Sequence, residues 1–144
     1  MDKLKNKHDL SILIVDLDGT LLLSDSLFEQ LVCLIRYPLL FLSVLPHLLR
    51  NLMMGKASFK HCLALHALPY LEVECLPYSL RLIELIKSHR DGGTKVFLCT
   101  GAHDSIANKI ADHLCVFDGV IATNEITNLV CENKAKALKE QFGD

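Results

Sequence analysis

The chain has 144 residues, of which 51% are hydrophobic and 22% charged, so it is long enough for one compact domain with a real core. Its formal net charge is −2 and its Lys and Arg residues are scattered, which excludes the basic footprint of a nucleic-acid-binding protein. The six cysteines are widely spaced and lie mostly in apolar runs, so they indicate buried thiols in a reducing compartment. We therefore expect a cytoplasmic location.

Three short, nearly continuous apolar segments predict β-strands that are buried on both faces of a parallel sheet. They are SILIVD at 11–16, TKVFLCT at 94–100 and DGVIAT at 118–123. Segments with helical spacing of apolar residues, 78–90 and 103–114, precede and follow the second strand. This alternation predicts an α/β fold with a Rossmann-like, doubly wound parallel sheet.

A helical block interrupts the alternation. It contains three segments that predict helices, at 25–36, 38–54 and 57–68. We interpret residues 25–75 as an α-helical cap inserted into an α/β core that is made of residues 1–24 and 76–144.

The middle of this block is the most apolar part of the chain. From Tyr37 to Leu49 it contains no charge unless His47 is protonated. The run is too short to span a bilayer, which needs about 20 residues, and Pro46 predicts a kink or a break in its helix. Two interpretations stay open: packing within the cap, and a surface that rests on a membrane or contacts a membrane domain.

Polar residues follow the first two predicted strands, at the strand ends where ligands bind in open α/β sheets. Asp16 and Asp18 follow the first strand, and Thr100 and Gly101 follow the second. Two acids at i and i+2 can face one pocket if Mg²⁺ lies between them and a phosphate. Asp16 is the candidate nucleophile, and Asp18 is the candidate general acid and base. Gly19 allows a tight turn whose amides can hold phosphoryl oxygens.

The start of the helix after the second strand has two candidate roles. Asp104 is the candidate N-cap residue of that helix. His103, directly before it, either faces the pocket and contacts substrate or is an ordinary residue at the start of a helix.

DLDGTLL at 16–22 resembles the first motif of the haloacid dehalogenase-like (HAD) hydrolase superfamily. That resemblance implies that Asp16 forms an aspartyl-phosphate and that Asp18 is the general acid and base; from their spacing, the same two acids are the candidate Mg²⁺ ligands. Gly19 and Thr20 then belong to the phosphate-binding loop. A second Asp in this motif implies phosphatase or mutase chemistry.

Two later segments resemble further motifs of the same superfamily. VFLCTGA resembles the second motif, in which the Thr100 hydroxyl and the Gly101 amide hold the transferring phosphoryl group. ENKAKALKEQF resembles the third, with Lys134 as the catalytic lysine that offsets the charge of Asp16 and the phosphate. A fourth motif, an acidic pair after another strand, has no room before Asp144, so we expect a core that is incomplete at its C-terminus.

Nearly the whole chain resembles the phosphoserine-phosphatase-like domain that is fused ahead of UbiA-type prenyltransferases in bacteria. The resemblance implies a Mg²⁺-dependent phosphomonoester hydrolase with a small phosphorylated substrate, within a longer protein at the cytoplasmic face of the inner membrane. The alternative is a catalytically incomplete domain that serves as a docking or regulatory module for a membrane prenyltransferase.

Overall fold

The computed structural model describes residues 11–123, and these form a three-stranded sheet with helices. A short 3₁₀ helix, Val73–Cys75, connects the helical block to the helix that precedes the second strand. The elements in chain order are β1 Ile12–Val15, α1 Ser26–Ile35, α2 Pro38–Met54, α3 Lys56–Ala67, α4 Leu80–Asp91, β2 Lys95–His103, α5 Asp104–Leu114 and β3 Gly119–Thr123.

The three strands are parallel and lie in the order β1-β2-β3. Val15 of β1 pairs with Leu98 of β2, which pairs with Val120 of β3. Parallel neighbours require long crossover connections, and the helices supply them. The predicted α/β fold is therefore confirmed, and all three predicted strands are present. Strand β2 continues past the predicted end at Thr100 as far as His103, with a register shift between Cys99 and His103.

The main core lies on one face of the sheet. Alternate strand residues such as Val96 and Leu98 pack there with Ile106 and Ile110 of α5 and with Ile86 of α4. Each of these side chains is fully buried, which contributes about 1.5–3 kcal/mol per large aliphatic residue. This packing fixes the strand ends where the candidate site residues lie.

The opposite face of β1 is more exposed than the sequence predicted. Ile12 and Ile14 are 42% and 40% exposed, respectively, whereas Val15 is buried. Successive strand residues point to opposite faces, and the main core covers only one face of β1. Burial of this strand on both faces, as predicted, is therefore not found within residues 11–123.

The helical block forms a second, smaller apolar cluster among α1, α2 and α3. Its buried members are Leu34, Val44, Leu48, Cys62, Leu63 and Ala67. All three helices lie within a residue or two of their predicted bounds. Ala64 of α3 belongs to the main core instead, so the block packs directly on the α/β part. The division at residues 25 and 75 stays a prediction.

Helix α2 continues through Pro46 without a break, so of the two predicted effects of this proline a break is not found, whereas a kink stays a prediction. Proline removes the hydrogen bond to the carbonyl four residues earlier, that of Leu42. Both residues are exposed, so water can take the place of the missing donor. Among residues 11–123, no helix combines the length and the hydrophobicity that a membrane crossing requires.

Candidate active site

The loop after β1 is a compact turn anchored by apolar side chains. Leu17, Leu21 and Leu22 are fully buried in or beside the main core. Gly19 has φ +70, a left-handed conformation that glycine adopts without strain, and its N–H donates to the Ser24 carbonyl at 3.1 Å. The apolar anchors hold the loop in place, and the acids between them remain close to the strand end.

Asp16 follows the last residue of β1 directly, as predicted. Its Oδ1 accepts a hydrogen bond from the Leu17 N–H at 2.9 Å, and the side chain is half-buried. The Leu21 N–H donates to the Asp16 carbonyl at 3.3 Å. The Leu17 N–H therefore orients the carboxylate and the Leu21 N–H holds the backbone that carries it, as a nucleophile requires.

Asp18 lies in a less favourable environment for a charge. Burial raises the pKa of its carboxyl, the hydrogen bonds from Ser26 lower it, and the charges of Asp25 and Asp16 raise it further. The net direction is upward from the ordinary value. Its Oδ1 accepts the Ser26 N–H at 2.7 Å, which orients the carboxyl at the start of α1. A carboxyl that holds its proton more readily than usual suits a general acid.

Thr100 and Gly101 lie beside this loop at the far end of β2. Thr100 is fully buried, and its Oγ1 accepts the Ala102 N–H at 3.0 Å. Gly101 is half-buried, and its carbonyl accepts a hydrogen bond from Nζ of Lys60 at 2.6 Å. The strand end is thus bound directly to helix α3 of the helical block.

A cavity of about 130 Å³ lies between the loop, the end of β2 and the helical block. It brings Asp18 and Gly101 together, whereas Asp16, Gly19, Thr20 and Thr100 are not among its walls. The lining residues are Asp18, Asp25, Ser26, Leu27, Gln30, Lys60, Gly101, Ala102 and His103. Both charged and neutral polar groups therefore face the space next to Asp18.

Gly19 and Thr20 are exposed on the turn, and both amides donate within the loop. The Gly19 N–H donates to Ser24, and the Thr20 N–H donates to the Leu17 carbonyl at 3.3 Å. Phosphate binding by these amides stays a prediction. It requires both N–H groups to leave the Ser24 and Leu17 carbonyls and to donate to the phosphate instead. The third-motif residue Lys134 lies outside the described residues.

Sequence reasoning missed two site residues from α3, Lys60 and His61. The Nδ1 atom of His61 lies 3.0 Å from Nε2 of His103. His103, 6% exposed, is the N-cap residue of α5, and its Nδ1 accepts the Ser105 N–H at 3.3 Å. The N-cap is thus one residue earlier than Asp104, the predicted one. The sequence signal for Lys60 and His61 is that they are two adjacent basic residues in a helix whose other residues are mostly small or apolar.

Residues 13–142 match the protein-family model described as haloacid dehalogenase-like hydrolase. The chain belongs to the HAD family. The predicted first-motif acids, Asp16 and Asp18, follow β1, and the predicted second-motif residues, Thr100 and Gly101, lie within the last four residues of the adjacent parallel strand β2. HAD-family membership therefore agrees with the fold and with the placement of these four residues.

Similar proteins include one curated sequence and two solved structures. An uncharacterized protein, y4nM, of Sinorhizobium fredii (strain NBRC 101917 / NGR234) is 37% identical over 131 residues, which cover 90% of this chain but 24% of that protein. A HAD family hydrolase from Salmonella enterica serovar Typhi has a TM-score of 0.59 at 16% identity, over 91% of this chain and 50% of that one. A phosphoserine phosphohydrolase-like protein from Francisella tularensis has a TM-score of 0.48 at 16% identity, over 78% and 57%.

The carboxylates of the HAD motif have the chemistry that Mg²⁺ prefers. Asp16 and Asp18 offer hard oxygen ligands, and Mg²⁺ is usually bound by one or two carboxylates together with water and phosphate. Within residues 11–123, no group of three or more His, Cys, Asp or Glu side chains is arranged to hold a metal ion. The two acids fit a magnesium ion that completes its shell with water and substrate oxygens.

Proposed function

We propose that this chain is a Mg²⁺-dependent phosphomonoester hydrolase domain that works through an aspartyl-phosphate on Asp16. The observation that supports this most directly is the position of Asp18. Its carboxyl has a raised pKa, lies two residues from the strand-end Asp16, and forms a wall of the small cavity with Gly101. The candidate nucleophile and the candidate acid are therefore two residues apart in one loop.

In the first step, an oxygen of the Asp16 carboxylate attacks the substrate phosphorus. The new O–P bond forms as the bond between phosphorus and the ester oxygen breaks, and the electron pair stays with the leaving oxygen. Asp18, in its protonated form, gives its proton to that oxygen, so an alcohol departs instead of an alkoxide. The raised pKa of Asp18 favours the protonated form that this step needs.

In the second step, water replaces the aspartyl group. Asp18, now a carboxylate, accepts a proton from water as the water oxygen bonds to phosphorus. The bond between phosphorus and the Asp16 oxygen breaks, which frees the carboxylate and releases inorganic phosphate. Over both steps, one ester and one water give one alcohol and one phosphate, and both aspartates return to their starting states.

The remaining motif residues position the phosphoryl group in this proposal. The Thr100 hydroxyl and the Gly101 N–H lie at the end of β2, next to the β1 end that carries Asp16. Lys134 offsets negative charge, and Gly19 and Thr20 supply the loop amides. The Asp16 carboxylate and the oxygen of Asp18 that carries no proton would hold Mg²⁺, which would neutralise charge on the phosphate.

A replacement at position 16 tests the proposal. Asp16→Asn keeps the side-chain volume and removes the nucleophile, so hydrolysis of p-nitrophenyl phosphate with Mg²⁺ should fall by at least about 1,000-fold. That magnitude is the usual order for loss of a covalent nucleophile. Glu84→Gln, an exposed acid on α4, is the control that removes one charge elsewhere. An active Asp16→Asn protein would overturn the aspartyl-phosphate mechanism.

A second candidate function is docking at a membrane, within a longer UbiA prenyltransferase-like protein. The specific observation in its favour is the outer face of α2, on which Leu39, Leu42, Leu49 and Met53 are all exposed. These positions fall within roughly 80° of one another on a helix that turns 100° per residue. From residue 30 to residue 71 the sequence contains no Asp or Glu, so nothing acidic within this segment opposes contact with an anionic surface.

A further inference from the structure

Gln30 of α1 carries a buried polar atom that lacks a partner. The side chain is 3% exposed, and its Nε2 donates to the Ser26 carbonyl at 2.9 Å. Its Oε1 is buried and has no hydrogen-bond partner among the residues that the structure describes. Buried side-chain acceptors are nearly always satisfied, so this atom indicates a donor that comes from outside residues 11–123.

The amide orientation of Gln30 is fixed by its surroundings. Only the nitrogen can donate to the Ser26 carbonyl, so the oxygen must be the atom without a partner. Ser26 also donates its own N–H to Asp18 at 2.7 Å. One residue therefore positions both the candidate acid and the Gln30 amide.

Gln30 and Asp18 line the same cavity, and Lys60 and His103 line it as well. The cavity has a volume of about 130 Å³, so a small polar group has room beside Asp18. In the proposed reaction Asp18 protonates the leaving oxygen, so the space beside Asp18 is where the leaving group would lie.

We infer that Gln30 is a specificity-determining residue whose Oε1 accepts a hydrogen bond from a hydroxyl or ammonium group on the leaving group. The substrate class is then a small phosphomonoester of a polyol or an amino alcohol, with the donor close to the ester oxygen. The inference rests on the proposed function, because that function identifies the cavity beside Asp18 as the place of the leaving group. An ester without that donor leaves Oε1 unpaired and is disfavoured for that reason.

A pair of esters matched in carbon chain length tests this inference. Glycerol 1-phosphate carries two hydroxyl groups that propyl phosphate lacks. Their dissociation constants are measured by NMR titration on the full chain with Asp16→Asn, so that turnover does not interfere. Glycerol 1-phosphate should bind at least tenfold more tightly, the factor expected for one buried hydrogen bond.

Changes in α1 show whether Gln30 causes that preference. Gln30→Met has a similar shape without the acceptor, so the ratio of the two dissociation constants should fall to about one. Glu29→Gln, on the same helix but away from the cavity walls, should keep the wild-type ratio. A ratio in Gln30→Met equal to that of the parent protein would overturn the inference.

Two outcomes separate this inference from the proposed function. A tenfold preference that Gln30→Met abolishes, in a protein whose wild type hydrolyses neither these esters nor p-nitrophenyl phosphate, supports hydrogen bonding by Gln30 and overturns the phosphatase proposal. Equal affinities, or no binding of either ester, in a chain that hydrolyses p-nitrophenyl phosphate overturn the role of Gln30 alone. The comparison of the two esters uses no change at position 30, so it stands even if Gln30→Met fails to fold.

Discussion

Nζ of Lys60 donates a 2.6 Å hydrogen bond to the carbonyl of Gly101, so a cation from the helical block is bound to the strand end that carries the second HAD motif. The next residue, His61, lies 3.0 Å from His103, two residues after Gly101. Consecutive residues of α3 therefore contact the segment next to Thr100. Movement of α3 away from the sheet would break both contacts and open the cavity beside Asp18.

Replacement of Lys60 by methionine should weaken the attachment of α3 to the sheet. Hydrogen bonds to charged groups contribute up to about 3 kcal/mol when buried, and this lysine is only half-buried. We expect Lys60→Met to lower the free energy of unfolding by about 1 kcal/mol, measured by urea denaturation. Lys56→Met, an exposed residue at the start of the same helix, should change it by less than about 0.5 kcal/mol. Equal effects of the two changes would contradict the assigned role.

Replacement of Asp18 by asparagine should stabilise the protein at neutral pH. Burial raises the pKa of this carboxyl, so the folded state favours its neutral form and the charged form costs stability. We expect Asp18→Asn to gain about 1 kcal/mol at pH 7, as a neutral amide still accepts the Ser26 N–H.

The pH dependence of that gain follows from the direction of the pKa shift. As the pH falls through the raised folded pKa of Asp18 toward the ordinary pKa, the wild-type carboxyl takes up a proton and the penalty disappears. The gain from Asp18→Asn should therefore shrink in acid and be fully present above the folded pKa. Thermal melts of both proteins across this range measure it, and a gain that is constant with pH would exclude Asp18 as its source.

The sequence predicted the strands and the four motif residues because both depend on local pattern. A short β-branched run predicts β1 and therefore places Asp16 at a strand end. The contributions of Gln30 and Lys60 could not be predicted in this way. Both lie on helices with many apolar neighbours, and the face that each helix turns toward the sheet depends on packing between distant segments. The burial of Gln30 is visible only once α1 has packed.

Tyr78 contacts both the loop after β1 and the segment before α4, and the pH at which it ionises reports on its burial there. Its hydroxyl donates to the Val73 carbonyl at 2.8 Å, and the residue forms a β-bridge with Leu22. Burial, with a smaller contribution from the charge of Glu74, raises the pKa of Tyr78 to about 12. Absorbance at about 295 nm should therefore show one tyrosine that ionises near pH 12.

The stability that this phenol contributes is present in full below the ordinary pKa of about 10 and is lost as the pH rises through 12. Tyr78→Phe should remove the late ionisation and cost about 1 kcal/mol at pH 7, the usual net value of one hydrogen bond. Tyr37→Phe is the control that should leave the late phase in place. Circular dichroism at each pH verifies that the fold persists, and a late phase that survives in Tyr78→Phe would refute the assignment.

The outer face of α2 predicts binding to anionic membranes. Leu39 is 85% exposed and Met53 is 90% exposed, and the helix contains one formal charge, the cation of Arg50. Apolar side chains that enter the lipid interface contribute in proportion to the area buried, and the neighbouring cations add attraction to acidic headgroups. The chain should therefore sediment with phosphatidylglycerol-containing vesicles more than with pure phosphatidylcholine vesicles.

The double variant Leu39→Ser and Met53→Ser tests whether this face carries the binding. We expect its partition coefficient onto phosphatidylglycerol vesicles to fall by at least about tenfold. A tenfold change corresponds to about 1.4 kcal/mol, which is less than the free energy gained by burying two large apolar side chains. Leu85→Ser, an exposed leucine on α4, should leave the coefficient unchanged.

Raising the salt from about 0.1 M to 1 M shortens the screening length from about 10 Å to 3 Å, so it should weaken the binding of the wild type. Equal sedimentation of the wild type and the double variant would assign the exposed leucines to a contact other than lipid.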